Sequence, residues 1–266
     1  MTSVESRLLS QFPALSLPQA TAMLAGLPVP PSPNWDGGEA GAPQGKMISC
    51  LCVIARPDQR PAAAAAAAEF ADQGWQRREL VLINQSGSPL FVRCPAGVRE
   101  ILTGGGLIAG MNAAMAAAKG GWQIGWEVDD IHHPQLLELL AAFRQPGRAV
   151  ALASQLQKDG EVLREAEGAT GLSSVCLMPA GGPAYRTDAG SDYESRLFDD
   201  HLLGRCVVIP TAGTLSAVSR IRCYSPDDQR HKPTEFSEAT PAQVEAAGVL
   251  LSRRKARLAS LFAAKE

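Results

Sequence analysis

An excess of charge of either sign is missing from this sequence: 25 Lys and Arg stand against 27 Asp and Glu, a formal net charge of −2. Without a global field to attract them, nucleic acid and anionic membranes are not expected partners. No apolar run approaches the length needed to span a bilayer, and the N-terminus lacks the architecture of a signal peptide. The six cysteines (Cys50, Cys52, Cys94, Cys176, Cys206 and Cys223) never fall into CxxC spacing. They read as reduced, mostly buried thiols of a cytoplasmic protein and argue against a disulfide framework or a zinc site. "TGGGLIAG" at 103–110 lacks the GxGxxG spacing of a dinucleotide fingerprint and follows the third predicted strand, not the first. What is there is ordinary for a soluble globular chain: 266 residues, 45% hydrophobic and 20% charged, enough for one large domain or two small ones.

Residues 1–46 differ from the rest. Two short amphipathic segments lead into "GLPVPPSPNWDGGEAGAPQGK", whose proline and glycine density is that of a linker. The boundaries expected are an N-terminal extension over 1–46, a main domain over 47–232 and a C-terminal helical tail over 233–266. From Met47 onward strands and helices alternate. "MISCLCVI" and "ELVLIN" are continuous apolar runs suited to strands buried on both faces. Between them "RPAAAAAAAEFADQ" is helix-former sequence with Pro61 in its first turn. A weaker strand at "VREIL", a helix over 107–118 and a strand at "WQIGW" follow. Further on the patterns predict helices over 134–143, 191–203 and 241–264, and strands over 149–157, 172–178 and 206–209. Thr240 is the expected N-cap of the last helix, which carries Arg253, Arg254, Lys255 and Arg257 on what reads as a solvated face. The succession predicts an α/β fold, a Rossmann-type, mostly parallel sheet flanked by helices, which takes ligands beyond the carboxyl ends of its strands.

At one such end stands "GWEVDDIHHP", residues 125–134, with Glu127, Asp129 and Asp130 directly behind an apolar strand. Acidic residues favour helix starts, and a helix is expected from Pro134. A hard divalent cation is the sharper explanation, because it seeks carboxylate oxygens gathered at the end of a rigid element. His132 and His133 are adjacent on an extended chain and point apart, so metal ligation by either is disfavoured. Cys50 and Cys52 share one face of a buried strand and read as packing.

Over roughly 47–224 the chain resembles the family 2 glycosyltransferases of the GT-A fold. "SCLCVIARPDQR" is similar to that family's opening strand and loop, and "ADQGWQRRELVLINQSGS" to its helix end, second strand and following loop. "GMNAAMAAAKGGWQIGWEVDDIHHP" is similar to its Ala-Arg-Asn-x-Gly segment, small-residue helix and Asp-x-Asp-Asp motif, with Asn112 and Gly120 at matching distances from Glu127. The resemblance implies a nucleotide-diphosphate sugar as donor substrate and Mn²⁺ or Mg²⁺ as cofactor. It implies donor binding at Ala55, Arg56, Asn84, Gln85, Asn112 and Glu127, metal ligation by Asp129 with Glu127 beside it, and a loop-supporting role for Asp130. In "AGSDYESRLFDD" it implies Asp192 as the general base of an inverting transfer, with Ser191 in the place of the family's glutamate.

The sequence departs from the family on the nucleotide side. Asn84 and Gln85 replace two aspartates, Met111 stands where arginine is common, and Glu127 reaches one methylene further than aspartate. Two functions of different classes are therefore expected from the residues: a metal-dependent glycosyltransferase with an unknown acceptor (glycan, protein, lipid or other), or a degenerate GT-A domain serving as a scaffold or assembly subunit. In the second, the N-terminal extension and C-terminal helix would contact a protein partner or a second copy. A nucleotidyltransferase-like sugar activator is disfavoured, because no Gly-rich phosphate loop with a lysine follows the first strand.

Overall fold

The structure, a computed structural model, describes residues 47–144, 147–152, 154–159, 162–167, 175–182, 184–185, 206–209, 220–224 and 236–263. The expected N-terminal extension, the helix expected over 191–203 and the residues Ser191 and Asp192 lie outside them.

The apolar run after Met47 forms β1 (Ile48–Ile54), buried along its whole length. The alanine tract forms α1 (Arg60–Ala71) and leads to β2 (Arg78–Asn84), which pairs in parallel with β1. β3 (Val98–Leu102) adds in parallel at the edge, followed by α2 (Gly106–Ala117). β4 (Trp122–Gly125) returns to the other side of β1, again in parallel. The chain then leaves this sheet through the acidic segment. β5 (Ile131–His132) belongs to a second sheet, and α3 (Leu136–Ala142) follows it.

The single strand expected over 149–157 is two. β6 (Ala149–Leu152) joins the large sheet, whereas β7 (Ser154–Asp159) joins the small one. β7 pairs antiparallel with β8 (Val162–Glu167). β9 (Val175–Pro179) lies antiparallel to both β4 and β6, and β10 (Cys206–Ile209) pairs with β6 in parallel. β11 (Arg220–Tyr224) lies between β5 and β7, and β12 (Phe236–Glu238) closes the far edge against β8. The large sheet therefore runs β3-β2-β1-β4-β9-β6-β10, and the small one β12-β8-β7-β11-β5. The last element is α4 (Pro241–Ala263).

Strand periodicity divides the core. Cys50, Cys52 and Ile54 face the cluster built with α1 and α3, and Leu51 and Val53 face the cluster that includes Met111 and Ala114 of α2. Both thiols are buried, which pushes Cys52 up to about 12 and Cys50 well above its ordinary value; they are packing groups. Met111 is likewise core, packed where the resemblance would put an arginine. Gly120 has a steric reason: a Cβ there would lie 2.4 Å from the Met47 carbonyl oxygen and 2.5 Å from Ser49 Oγ. α4 starts with a reciprocal cap, the Gln243 amide donating to Thr240 Oγ1 (3.3 Å) and the Thr240 amide to Gln243 Oε1 (2.7 Å). Its Ala247 and Leu250 then pack with Ile131, Leu156 and Ile221 beneath the small sheet.

Candidate active site

Because β1, β2, β3 and β4 are parallel, their carboxyl ends share one edge, and Ala55, Arg56, Asn84, Gln85 and the acidic segment lie at or just beyond it. Ala55 and Arg56 leave β1, with both amides donating to Gln59 Oε1 (3.0 and 3.2 Å). Arg56 is exposed and pairs with Asp58 at 3.1 Å. Gln85 follows β2: its amide donates to the Ile54 carbonyl at 2.8 Å, and its side chain to the Gly106 carbonyl at 2.9 Å. Arg60 secures the same loop by donating to Ser86 Oγ and to the carbonyls of Ser88 and Pro89.

Asn84, at the end of β2, is held within its own loop. It is 1% exposed. Its Nδ2 donates to the Ser88 carbonyl (2.9 Å) and to Glu100 Oε1 (2.5 Å), and its Oδ1 accepts from the Ser86 amide (2.9 Å) and hydroxyl (2.7 Å). Two donors and two lone pairs are the whole capacity of an amide side chain, so Asn84 shapes the loop from within. Asn112 is similar: Oδ1 accepts from the Tyr185 amide (2.8 Å) while Nδ2 donates to the Tyr185 carbonyl (2.9 Å), tying α2 to the chain after β9.

The acidic segment is built on an alternation. Trp126 is fully buried, stacked on the His132 ring at 3.7 Å between centroids, and its Nε1 donates to the Ala66 carbonyl at 3.0 Å. Glu127 is half-buried, Val128 buried, Asp129 exposed and Asp130 buried. Arg220 of β11 reaches two of the acids: Nε donates to Asp130 Oδ2 at 2.8 Å and Nη2 to Glu127 Oε1 at 3.1 Å. Asp130 also accepts from the Cys223 amide, so it joins the small sheet to the acidic loop. Asp129 is the carboxylate turned outward at the carboxyl end of β4.

Underneath lies a second charged group. Glu69 of α1 accepts from the His132 amide (3.2 Å), lies 3.4 Å from His132 Nδ1, and pairs with Arg254 of α4 at 2.8 Å. Burial raises the Glu69 carboxyl, but the His132 contact and the Arg254 guanidinium outweigh it and hold the group below its ordinary value. Burial lowers His132, so its ring is a neutral packing partner of Trp126. Arg254 also donates to the carbonyls of Ala62 and Val128.

Arg220, Arg254 and Glu69 were not legible as site residues. For Arg254 there was a signal: Gln243, Ala247, Leu250 and Arg254 are the buried positions of α4 among the described residues and follow one helical stripe, so an arginine on that stripe is aimed inward. The expected solvated face of Arg253–Lys255–Arg257 holds for Arg253 and Lys255, which are exposed, but not for Arg254, which is 7% exposed.

Among the described residues no group of three or more His, Cys, Asp or Glu side chains could hold a metal ion. The oxygen donors of Asp129 and Glu127 do fit a cation of the Mg²⁺ or Mn²⁺ kind, which commonly takes one or two carboxylates and completes its shell with water and substrate phosphate.

No family model and no curated protein sequence matches the chain. Solved structures do. TarS 1–349 of S. aureus superposes with a TM-score of 0.54 at 13% identity, over 66% of this chain and 60% of its own. The same protein in complex with UDP superposes at 0.53 and 12% identity, over 68% and 62%. The fold is that of the GT-A glycosyltransferases. The chain thus spans less than two thirds of the length of those TarS structures. A mannosyltransferase of Pyrobaculum calidifontis, determined with GDP-Man and Mn²⁺, aligns over 98% of this chain and 87% of its own at 13% identity, with a TM-score of 0.47. No helix among the described residues is long and apolar enough to cross a membrane.

Proposed function

We propose that this GT-A domain is a glycosyltransferase that moves a sugar from a nucleotide-diphosphate donor to an acceptor hydroxyl. The observation that carries this reading is the exposed Asp129 carboxylate just past the carboxyl end of β4, on the edge where a parallel sheet takes its ligands, with Glu127, two residues earlier, anchored by Arg220. TarS, which shares the fold, has been determined with UDP. Asp129 and Glu127 would hold a divalent Mn²⁺ or Mg²⁺, which when bound neutralises charge on the departing diphosphate. Gln85, Ala55 and Arg56 line the edge where the nucleotide would lie, and Asn84 and Asn112 shape its walls. In the transfer itself the acceptor oxygen bonds to the anomeric carbon as the carbon–oxygen bond to the diphosphate breaks. Asp192 takes the acceptor proton, and attack opposite the leaving group inverts the anomeric centre.

A second reading, a GT-A domain that assembles and does not catalyse, draws on Asn84, whose hydrogen-bonding capacity is spent inside its own loop. One assay separates the two. UDP- and GDP-sugars are incubated with the protein and Mn²⁺, and release of the nucleoside diphosphate as the sugar passes to water or to added acceptors is followed. Release that Asp129→Ala abolishes supports the enzyme; no release from any donor, with or without acceptor, favours the assembling domain.

A further inference from the structure

The acidic loop is held from below by an element the sequence sets 126 residues away. Arg254 of α4 is 7% exposed, and burying a guanidinium is costly unless it is paired and hydrogen-bonded. Two of its bonds, to Glu69 at 2.8 Å and to the Ala62 carbonyl at 3.1 Å, suffice to dock α4 on α1. The third goes to the Val128 carbonyl, in the peptide unit that joins Val128 to Asp129. Val128's side chain is itself in the core, so this carbonyl and this side chain together fix the residue that Glu127 and Asp129 flank.

We propose that Arg254 is a positioning residue for the donor loop: by holding the Val128 carbonyl it sets where Glu127 and Asp129 stand. This rests on the reading of that loop as the donor and metal site. Three consecutive supports act on the segment. Trp126 is locked by its stack on His132 and its bond to Ala66, Val128 by Arg254, and Asp130 by Arg220. Each holds a residue that faces inward and leaves Asp129 facing out. Arg257, one turn further along α4, bonds Asp72 near the end of α1 and serves only the docking of the helix. Partners of this kind behind metal-binding groups are commonly worth about 10–100-fold in metal affinity, because ligands displaced by a fraction of an ångström no longer converge.

The test compares Arg254→Gln, Arg254→Lys and Arg257→Gln in the full chain. Two quantities are read: hydrogen exchange of the amides of residues 126–132, and the affinity for Mn²⁺ in the presence of UDP, or of GDP where UDP does not bind. Arg254→Gln is expected to accelerate exchange in that segment and to weaken Mn²⁺ by about 10–100-fold. Arg254→Lys, which keeps the charge and one reach, should restore part of both even if the glutamine variant folds poorly. Arg257→Gln should change neither. Unchanged exchange and affinity in folded Arg254→Gln would overturn the proposal, as would an equal effect from Arg257→Gln. A wild-type protein that binds Mn²⁺ with neither nucleotide sinks the donor reading instead, and the exchange measurement still decides whether Arg254 holds the loop.

Discussion

Asn84 shows how a single position changes meaning between a sequence and a structure. A restored aspartate there looks, from the resemblance alone, like a better nucleotide acceptor. In the folded protein Nδ2 donates to a carbonyl and to the Glu100 carboxylate, so Asn84→Asp replaces two hydrogen bonds by acceptor–acceptor contacts with almost no solvent to relieve them. A buried group stripped of its partner costs about 1–3 kcal/mol, more when charged. Asn84→Asp is therefore expected to lower the melting temperature by several degrees, and thermal denaturation checks it. Asp129→Ala sits at the opposite extreme. An exposed carboxylate contributes little to packing, so the variant should melt within about 0.5 kcal/mol of the parent while losing nucleotide-sugar turnover.

His133 carries a pH dependence of its own. Burial, and then the Arg253 guanidinium, lower its ring to about 4. The unfolded chain, near the ordinary value of 6.5, takes up a proton that the folded protein refuses. The stability this contributes is complete above pH 6.5 and is lost as pH falls from there through about 4. Melting temperature measured between pH 7.5 and 4.5 should decline less steeply for His133→Gln than for the parent; equal slopes would remove His133 from this role.

Elements were legible in proportion to how much of their burial is written locally. β1 and β2 are continuous apolar runs buried by neighbours on both faces, and their expected bounds agree with the structure to within a residue or two. The start of α4 was legible for the same reason, since Thr240, Pro241 and Gln243 form a local cap. The small sheet was not. β12 is short, and β8 and β11 mix charge with apolar residues, so no apolar run marks them. The break between β6 and β7 is invisible because strand-forming residues continue while the hydrogen-bonding partners change. At the site, the acids at the end of β4 were legible from spacing. The arginines that bond Asp130 and the Val128 carbonyl lie 90 and 126 residues away and acquire meaning only through tertiary contact. The Thr240 cap gives a direct check on the element: Thr240→Ala should cost about 1 kcal/mol, read as a lower denaturation midpoint with an unchanged denaturant slope.

At the scale of the whole molecule, the central claim is that one edge of the large sheet binds a nucleoside diphosphate and a divalent cation together. The α4 helix belongs to this claim, because it packs beneath the small sheet and Arg254 reaches the acidic loop. Residues 1–46 are outside it: a chain starting at Met47 is expected to unfold cooperatively by circular dichroism, and a truncated protein without that transition would move the boundary. The decisive measurement is the melting temperature of the full chain with Mn²⁺ alone, with UDP or GDP alone, and with both. Where metal and nucleotide bridge, each strengthens the other, and ligand at about 100 times its dissociation constant stabilises the fold by roughly 2.7 kcal/mol. The account predicts a rise of several degrees with metal and nucleotide together, larger than the sum of the two alone and absent in Asp129→Ala. No rise with any combination would contradict it.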